Sequence, residues 1–281
     1  MTEIISGTTR IYGIIGYPVE HSFSPRMHNA AFSALKMDAR YLAFPVKAEQ
    51  VQQALEGIRV LNISGVNVTV PHKSSVIPYL DEITPLAKKL GAVNTILNVE
   101  GRLSGTNTDI SGFVRSLGAL NFSPKNKTVA VLGAGGSARA VLAGLADAGA
   151  SRILIHNRTA ERAENLVTEF SHYFPQTQLS AVSLETVQNS NLDLLVNTTT
   201  VGMQSDASPL DLSQCEEIKH VLDLIYSPAK TRLLRQAQEL GIPALNGSGM
   251  LLYQGCDAFT FWTAEAAPET VMREQLLNLL E

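Results

Sequence analysis

The 281-residue chain is poor in cysteine, in basic residues and in long apolar runs, and each shortage excludes a class of protein. Its two cysteines, Cys215 and Cys256, are far apart and form neither a ligand pair nor a redox motif, so we expect reduced thiols in the cytoplasm. The net charge of −4 leaves no basic surplus to neutralise nucleic-acid phosphates. No apolar run reaches membrane-spanning length, the N-terminus does not resemble a signal peptide, and the six histidines lack metal-ligand spacing. We therefore expect a globular, enzyme-like protein with no metal and no nucleic-acid or membrane partner.

Strand and helix patterns alternate along the chain, which is too long for one ordinary core. In the first half, strand patterns lie at residues 10–16, 40–46 and 65–70, and residues 94–105 are typical of a hairpin. The alternation between residues 128 and 245 requires crossover connections and a parallel sheet. These patterns predict two α/β domains, a boundary near residue 109 and an active site between them.

A glycine-rich turn separates an apolar strand pattern at residues 128–132 from a small-residue helix pattern. Gly133 permits a tight turn off the strand, and Gly135 lets the backbone approach a pyrophosphate closely. The N-terminus of the next helix offers N–H groups and partial positive charge to phosphates. Ala138 stands in place of the usual third glycine and is small enough for the helix to pack on the sheet. The turn predicts a dinucleotide-binding unit; a turn that serves only tight packing is the alternative.

The end of the second strand in this unit favours a cofactor that carries a 2′-phosphate. NAD-binding units usually have a carboxylate here, whereas this chain has Asn157, Arg158 and Thr159, followed by Arg162. Two guanidinium groups at helical spacing can clamp a phosphate. We therefore predict NADP rather than NAD. The alternative is two solvated arginines, with Arg158 paired to Glu161.

The first half contains an unusual polar string at residues 65–73. In an extended chain Asn67 and Thr69 share one face, and the neighbouring valines face the other way. Pro71 ends the strand and places Lys73 at its exit, where a lysine can donate a proton if a neighbour tunes its pKa. Composition alone favours an exposed, solubilising lysine.

Two further polar residues each admit a structural and a functional interpretation. Asp109 precedes an apolar helix pattern, so it suits a helix cap, and it is equally placed to pair with Lys73 at a substrate hydroxyl. Gln254 lies on an apolar helical face. Its buried amide must find a partner, either the backbone or a polyhydroxy ligand.

A pair of serines follows the first strand. Ser24 precedes Pro25, which favours both extended geometry and the start of a helix. A helix start explains Ser24 but not Ser22. If the segment is extended, the hydroxyls of Ser22 and Ser24 lie on one side and are suited to bind a carboxylate.

Together these strings resemble the shikimate dehydrogenase family, NADP-linked enzymes that reduce 3-dehydroshikimate in aromatic amino-acid synthesis. The matching strings run in family order over nearly the whole chain, at residues 22–29, 67–73, 91–95, 107–109, 133–136, 157–159, 223–228 and 247–254. One departure is Thr200, where the family more often has serine or proline. The resemblance implies an N-terminal mixed-sheet substrate domain over residues 1–109 plus 247–281, to which the C-terminal helices return. It further implies a Rossmann-type, doubly wound NADP-binding domain over residues 110–246.

The resemblance also implies a role for individual residues. Acid–base catalysis would fall to Lys73 and Asp109. The substrate carboxylate would be bound by Ser22, Ser24 and Tyr226, and the ring hydroxyls by Asn67, Thr69, Asn94, Asp109 and Gln254. The cofactor pyrophosphate would be held by Gly133, Ala134, Gly135, Gly136 and Ser137, the 2′-phosphate by Asn157, Arg158, Thr159 and Arg162, and the nicotinamide side by Thr198, Leu224 and Gly247.

The implied activity is the reversible reduction of 3-dehydroshikimate to shikimate by direct hydride transfer from NADPH, in a monomer or homodimer. Two alternatives stay open: a quinate/shikimate dehydrogenase of the same family, and a non-catalytic nucleotide-sensing module. Arg158 and Arg162 argue against NAD as the cofactor. Lys73 and Asp109 argue against a sensor, because a sensor needs neither residue.

Overall fold

The computed structural model describes residues 5–280, and the chain divides into two compact units. Unit 1 comprises the residues up to Thr108 together with Gln254–Leu279, and unit 2 comprises Asp109–Tyr253 with Leu280. The functional domain boundaries given above stay a prediction. Among residues 5–280, no helix combines the length and the apolar character that crossing a membrane requires.

Unit 1 contains a mixed six-stranded sheet. Its elements, in chain order, are β1 (Arg10–Gly16), α1 (Ser24–Ala34), β2 (Ala39–Pro45), α2 (Val51–Val60), β3 (Gly65–Val68), β4 (Glu82–Ile83), α3 (Pro85–Leu90), β5 (Thr95–Val99) and β6 (Arg102–Thr106). The strand order is β2-β1-β3-β5-β6-β4, with β2 and β3 parallel to β1 and with β5 antiparallel to β3 and β6. The hairpin predicted at residues 94–105 is therefore confirmed, and its turn residues Glu100 and Gly101 both have positive φ, as a tight hairpin turn requires.

Unit 2 contains a wholly parallel six-stranded sheet. Its elements are α4 (Asp109–Ser116), β7 (Thr128–Leu132), α5 (Gly136–Asp147), β8 (Arg152–His156), α6 (Ala160–Tyr173), β9 (Gln178–Ala181), α7 (Leu184–Gln188), β10 (Leu194–Asn197), β11 (Val221–Asp223), α8 (Arg232–Glu239) and β12 (Ala244–Asn246). The strand order is β9-β8-β7-β10-β11-β12. The chain adds β8 and β9 on one side of β7 and then β10, β11 and β12 on the other side, so the order of addition reverses at β7. This is the doubly wound Rossmann arrangement, in which ligands bind at the carboxyl ends of the strands near the reversal.

The chain ends in two helices, α9 (Ser248–Thr263) and α10 (Glu269–Leu280). Most of α9 and nearly all of α10 belong to unit 1. Phe259 and Trp262 of α9 are buried against the aromatic rings of unit 1, and Met272 of α10 is fully buried. The sheet of unit 1 therefore buries apolar side chains from the distant end of the chain.

Three elements differ from the sequence expectations. The strand predicted over residues 65–70 ends at Val68, so Val70 lies exposed instead of packing with the other valines. β9 and α7 were not predicted, because β9 is short, polar and only partly buried. Farther along the chain, α8 begins at Arg232, because the Thr231 hydroxyl accepts the Leu234 N–H and caps the helix.

Candidate active site

The glycine turn of unit 2 has the geometry of a phosphate cradle. Gly133 has φ +109°, its N–H donates to the His156 carbonyl at 2.8 Å, and a Cβ there would lie 2.5 Å from Thr198 Oγ1. Only glycine fits this position. A Cβ on Gly135 or Gly136 would meet no protein atom within 4 Å, so open space lies before the first turn of α5. The N–H groups of that turn have no intrahelical acceptor and suit an anionic phosphate.

The polar residues after β8 lie directly before α6, which begins at Ala160. The Asn157 amide donates to the Thr159 carbonyl at 2.8 Å, and Thr159 is the extended residue before α6. Arg158 and Arg162 are both exposed. Within residues 5–280 neither arginine forms an ion pair, so the alternative pair between Arg158 and Glu161 is absent there.

The loop after β10 is tied to the sheet by hydrogen bonds. Thr198 donates its hydroxyl to the Leu132 carbonyl at 2.7 Å. Asn197 donates to Asp223 Oδ1 at 2.9 Å, and Thr231 donates to Asp223 Oδ2 at 2.6 Å. Burial raises the pKa of Asp223, and its hydrogen bonds act in the opposite direction. Sequence reasoning gave Asp223 no role; the structure makes it the residue that joins the loops after β10 and β11 to α8.

The loop after β11 approaches the segment before α9. Leu224 donates its N–H to the Asn197 carbonyl at 2.9 Å, and Gly247 donates its N–H to the Ile225 carbonyl at 3.2 Å. A side chain at position 247 would overlap the backbone of Leu224. Tyr226 follows in the same loop, and burial raises its pKa. Thr198, Leu224 and Gly247 therefore share one end of the parallel sheet with Gly133.

In unit 1, two of the predicted substrate residues belong to one buried hydrogen-bond network. Asn67 donates its amide to the Asn94 carbonyl and to Thr95 Oγ1, both at 3.2 Å. Asn94 Oδ1 accepts the Thr108 N–H at 2.8 Å and the Thr95 hydroxyl at 2.9 Å. Neutral amides and hydroxyls of this kind are suited to a polyhydroxy ligand.

Tyr41 of β2 extends this network, and sequence reasoning missed it. Its hydroxyl donates to Asn67 Oδ1 at 2.7 Å. Burial raises the pKa of Tyr41 well above its usual range, and the Ser24 hydroxyl beside it acts in the opposite direction. The only available signal was a tyrosine at a strand position whose hydroxyl must find a partner when buried.

The segment that contains Ser22 and Ser24 is not extended, although an extended segment was one of the two possibilities that the sequence left open. Phe23 has helical dihedral angles, Ser24 is the first residue of α1, and Pro25 is the second. The Ser24 N–H donates to Ser22 Oγ at 3.3 Å, which closes a local turn. Ser24 is buried and Ser22 is half-buried, so the turn, not a strand, sets the relative positions of the two hydroxyls.

The residues after β3 continue along the sheet beyond the strand. The Thr69 N–H donates to the Ile15 carbonyl at 3.0 Å, and His72 Nε2 lies 2.6 Å from the Val46 carbonyl. The Lys73 carbonyl accepts the Val93 N–H at 2.7 Å. The backbone on both sides of Lys73 is thereby anchored, and its side chain is half-buried.

Two further predicted residues lie on helices. Asp109 is the first residue of α4 and is buried. Gln254 is buried in α9. The predicted pairing of Asp109 with Lys73 stays a prediction.

Fold and local geometry define an α/β protein with a Rossmann-type nucleotide unit and a second unit that carries a buried amide–hydroxyl network. Three family models match the chain: the shikimate dehydrogenase substrate binding domain over residues 14–96, shikimate/quinate 5-dehydrogenase over residues 117–222, and the shikimate 5′-dehydrogenase C-terminal domain over residues 247–277. A shikimate dehydrogenase (NADP(+)) from Geobacter metallireducens is 45% identical over 99% of both chains. The chain belongs to the shikimate dehydrogenase family.

Solved structures agree with this placement. The shikimate 5-dehydrogenase of Listeria monocytogenes, in complex with shikimate and NAD, has a TM-score of 0.91 at 35% identity and covers 98% of this chain and 99% of its own. The enzyme of Thermus thermophilus, in complex with NADP(H) and shikimate, has a TM-score of 0.87 at 38% identity and covers 96% and 99%. The resemblance stated from the sequence and the predicted fold class are thus confirmed.

Proposed function

We propose that this protein is an NADP-dependent shikimate dehydrogenase that catalyses the reversible reduction of 3-dehydroshikimate to shikimate. Family membership over nearly the full length supports the activity. The observation that carries the proposal is the buried network of Asn67 and Asn94, because it offers the neutral donors and acceptors that a ring bearing several hydroxyls requires. We assign substrate binding to residues 1–109 plus 247–281 and NADP binding to residues 110–246.

The residues of the glycine turn fit the cofactor that the family implies. The open space before α5 supports pyrophosphate binding there, and the exposed Arg158 and Arg162 supply two guanidinium groups for the 2′-phosphate. When bound, NADPH supplies the hydride. The residues that would hold it are Gly133, Ala134, Gly135, Gly136 and Ser137 at the pyrophosphate, Asn157, Arg158, Thr159 and Arg162 at the 2′-phosphate, and Thr198, Leu224 and Gly247 at the nicotinamide.

In the proposed chemistry, Lys73 is the general acid. Negative charge develops on the ketone oxygen at C3 of the substrate, and the Lys73 ammonium stabilises that charge and delivers a proton. Asp109 orients the ammonium. Anchored backbone around Lys73 supports this role, because a fixed lysine loses little freedom when it reaches the reacting oxygen.

The remaining polar residues hold the substrate. Ser22, Ser24 and Tyr226 bind the carboxylate, and Asn67, Thr69, Asn94, Asp109 and Gln254 bind ring hydroxyls. Burial of Asn67, Asn94 and Gln254 strengthens each such hydrogen bond.

The setting of the reaction follows from the same reasoning. We infer a cytoplasmic enzyme, because two cysteines that form no disulfide are typical of a reducing compartment. We infer a monomer or a homodimer, and light scattering coupled to size exclusion distinguishes the two.

Steady-state rates test the proposal most directly. We expect turnover of shikimate with NADP⁺ to exceed turnover with NAD⁺ and turnover of quinate with either cofactor, measured by absorbance of the reduced cofactor. Lys73→Ala should lower kcat by roughly two to four powers of ten with little change in KM for shikimate, because it removes a positioned acid.

Lys88→Ala serves as the matched control, since Lys88 is exposed on α3 and near-normal rates are expected. A Lys73→Ala variant with near-normal kcat would remove lysine from the chemical step. Absence of wild-type turnover on shikimate would overturn the proposed function as a whole.

A further inference from the structure

Tyr41 is held from two sides by consecutive residues of α1. The Asn29 amide donates to the Tyr41 carbonyl at 2.9 Å, and Asn29 Oδ1 accepts the Tyr41 N–H at the same distance. The His28 ring stacks on the Tyr41 ring, with centroids 4.5 Å apart and an interplanar angle of 16°. Trp262 packs on Tyr41 as well, at 6.0 Å. Backbone and ring of Tyr41 are therefore both fixed.

The hydrogen bonds of Asn67 determine the direction of its contact with Tyr41. Asn67 Nδ2 faces the Asn94 carbonyl, which can only accept, so this end of the amide must be the nitrogen. Asn67 Oδ1 then faces the Tyr41 hydroxyl, which must be the donor. The amide hydrogens are both engaged, toward Asn94 and Thr95. What Asn67 retains is one acceptor site on Oδ1.

We propose that Tyr41 is a positioning residue that fixes Asn67 as a hydrogen-bond acceptor for a ring hydroxyl of the substrate. The proposal rests on the proposed function, in which Asn67 binds such a hydroxyl. In this role Tyr41 acts through its hydrogen bond to Asn67. Its hydroxyl holds the carbonyl end of Asn67 in one orientation. Asn67 Oδ1 can then accept a hydrogen bond from a ligand hydroxyl, whereas a ligand group that can only accept is disfavoured there.

The environment of Tyr41 suits this task. Its side chain is 1% exposed and Asn67 is 5% exposed, so water does not compete for the bond between them. Within residues 5–280 both His28 ring nitrogens are buried without a hydrogen-bond partner, so His28 serves as a flat stacking surface. His28 and Asn29, which lie in the matching string at residues 22–29, therefore both hold Tyr41 in place.

Tyr41→Phe tests the proposal, because it keeps the ring and removes the hydroxyl. We expect KM for shikimate to rise about tenfold, kcat to fall less than threefold and KM for NADP⁺ to stay unchanged. Tyr12→Phe is the matched control. Tyr12 is the register partner of Tyr41 on β1, is equally buried and also packs on Trp262, but its hydroxyl interacts with Ser64.

A double-mutant cycle separates positioning from general destabilisation. In an Asn67→Ala background, Tyr41→Phe should raise KM for shikimate by less than it does in the wild-type background, because the part of its effect that passes through Asn67 is already lost. Equal effects of Tyr41→Phe and Tyr12→Phe, or an undiminished effect in the Asn67→Ala background, would overturn the role of Tyr41. A wild type with no shikimate turnover would overturn the proposed function and this proposal with it; an active wild type with silent variants overturns this proposal alone.

Discussion

Several polar side chains of unit 1 are deeply buried, and His28 is the extreme case. It is 0% exposed, and its ring lies 4.5 Å from that of Tyr41 and 5.3 Å from that of Trp262. Burial lowers its pKa from 6.5 to about 3. An imidazole without hydrogen-bond partners costs desolvation energy, which aromatic stacking offsets in part. His28 is therefore a neutral aromatic residue across the physiological pH range.

This pKa predicts how stability depends on pH. Below pH 6.5 the unfolded chain protonates His28 and the folded chain does not, so stability falls as the pH drops toward 3. Between pH 7 and pH 5 the loss from this residue amounts to about 2 kcal/mol. We expect His28→Phe to lack this loss. The unfolding free energy of the variant minus that of the wild type should therefore rise by that amount as the pH falls from 7 to 5. Urea unfolding at several pH values measures it.

His21→Gln is the control, because His21 is exposed and removing it should leave the wild-type pH profile nearly intact. Parallel profiles for wild type and His28→Phe would show that His28 takes up its proton in the folded protein as readily as in the unfolded chain.

At the scale of elements, local sequence was most informative where backbone geometry demands a particular residue. The Glu100-Gly101 turn and the Gly133 turn were predictable, because few residues adopt positive φ. β9 was not, because its alternation of Gln178, Leu179 and Ser180 carries little apolar signal. The contact of Tyr41 with Asn67 joins side chains 26 positions apart, and such a contact depends on strand register that local patterns do not contain.

The glycine turn allows folding and ligand binding to be separated. A Cβ on Gly133 would collide with Thr198 at positive φ, whereas a Cβ on Gly135 enters open space at φ −93°. We expect Gly135→Ala to keep the wild-type melting temperature but to raise KM for NADP⁺ at least tenfold, because the added methyl group would occupy the space that we propose for the pyrophosphate. Gly133→Ala should lower stability by about 1–3 kcal/mol as well.

Gly57→Ala is the control for both variants, because Gly57 lies in α2 with open space around it, and alanine there should stabilise by about 0.5–1 kcal/mol. Unchanged NADP⁺ kinetics in Gly135→Ala would mean that the turn serves only tight packing, which was the alternative interpretation of the sequence.

At the scale of the whole molecule, unit 1 is completed by residues from the far end of the chain. Trp262 of α9 donates its indole N–H to the Ile96 carbonyl of β5 at 2.9 Å, and its ring lies against Gly65 at the start of β3. A Cβ on Gly65 would lie 2.5 Å from the indole. The sequence showed an apolar helical face around Gln254, but only the family resemblance implied the domain to which the C-terminal helices return. Helical periodicity carries no information about the partner surface.

Trp262 therefore offers a test of how unit 1 depends on its C-terminal segment. Trp262→Ala should lower the unfolding free energy by about 3–5 kcal/mol, because it opens a cavity among Tyr12, Tyr41 and His28. Trp262→Phe keeps most of the ring and loses the hydrogen bond to Ile96, so its cost should be nearer 1 kcal/mol. Circular dichroism in urea measures both, since Trp262 is the chain's single tryptophan and fluorescence is lost with it.

The same variants distinguish the two proposed binding sites. Trp262 contacts Tyr41, so Trp262→Ala should weaken shikimate binding, whereas the proposed NADP⁺ residues belong to unit 2 and the Kd for NADP⁺ should stay within about twofold. Titration calorimetry on the folded variant gives both constants. If Trp262→Ala weakens the binding of both ligands equally, the structural change is not confined to unit 1. If Trp262→Ala loses no more stability than Trp262→Phe, the indole ring fills no essential space in unit 1.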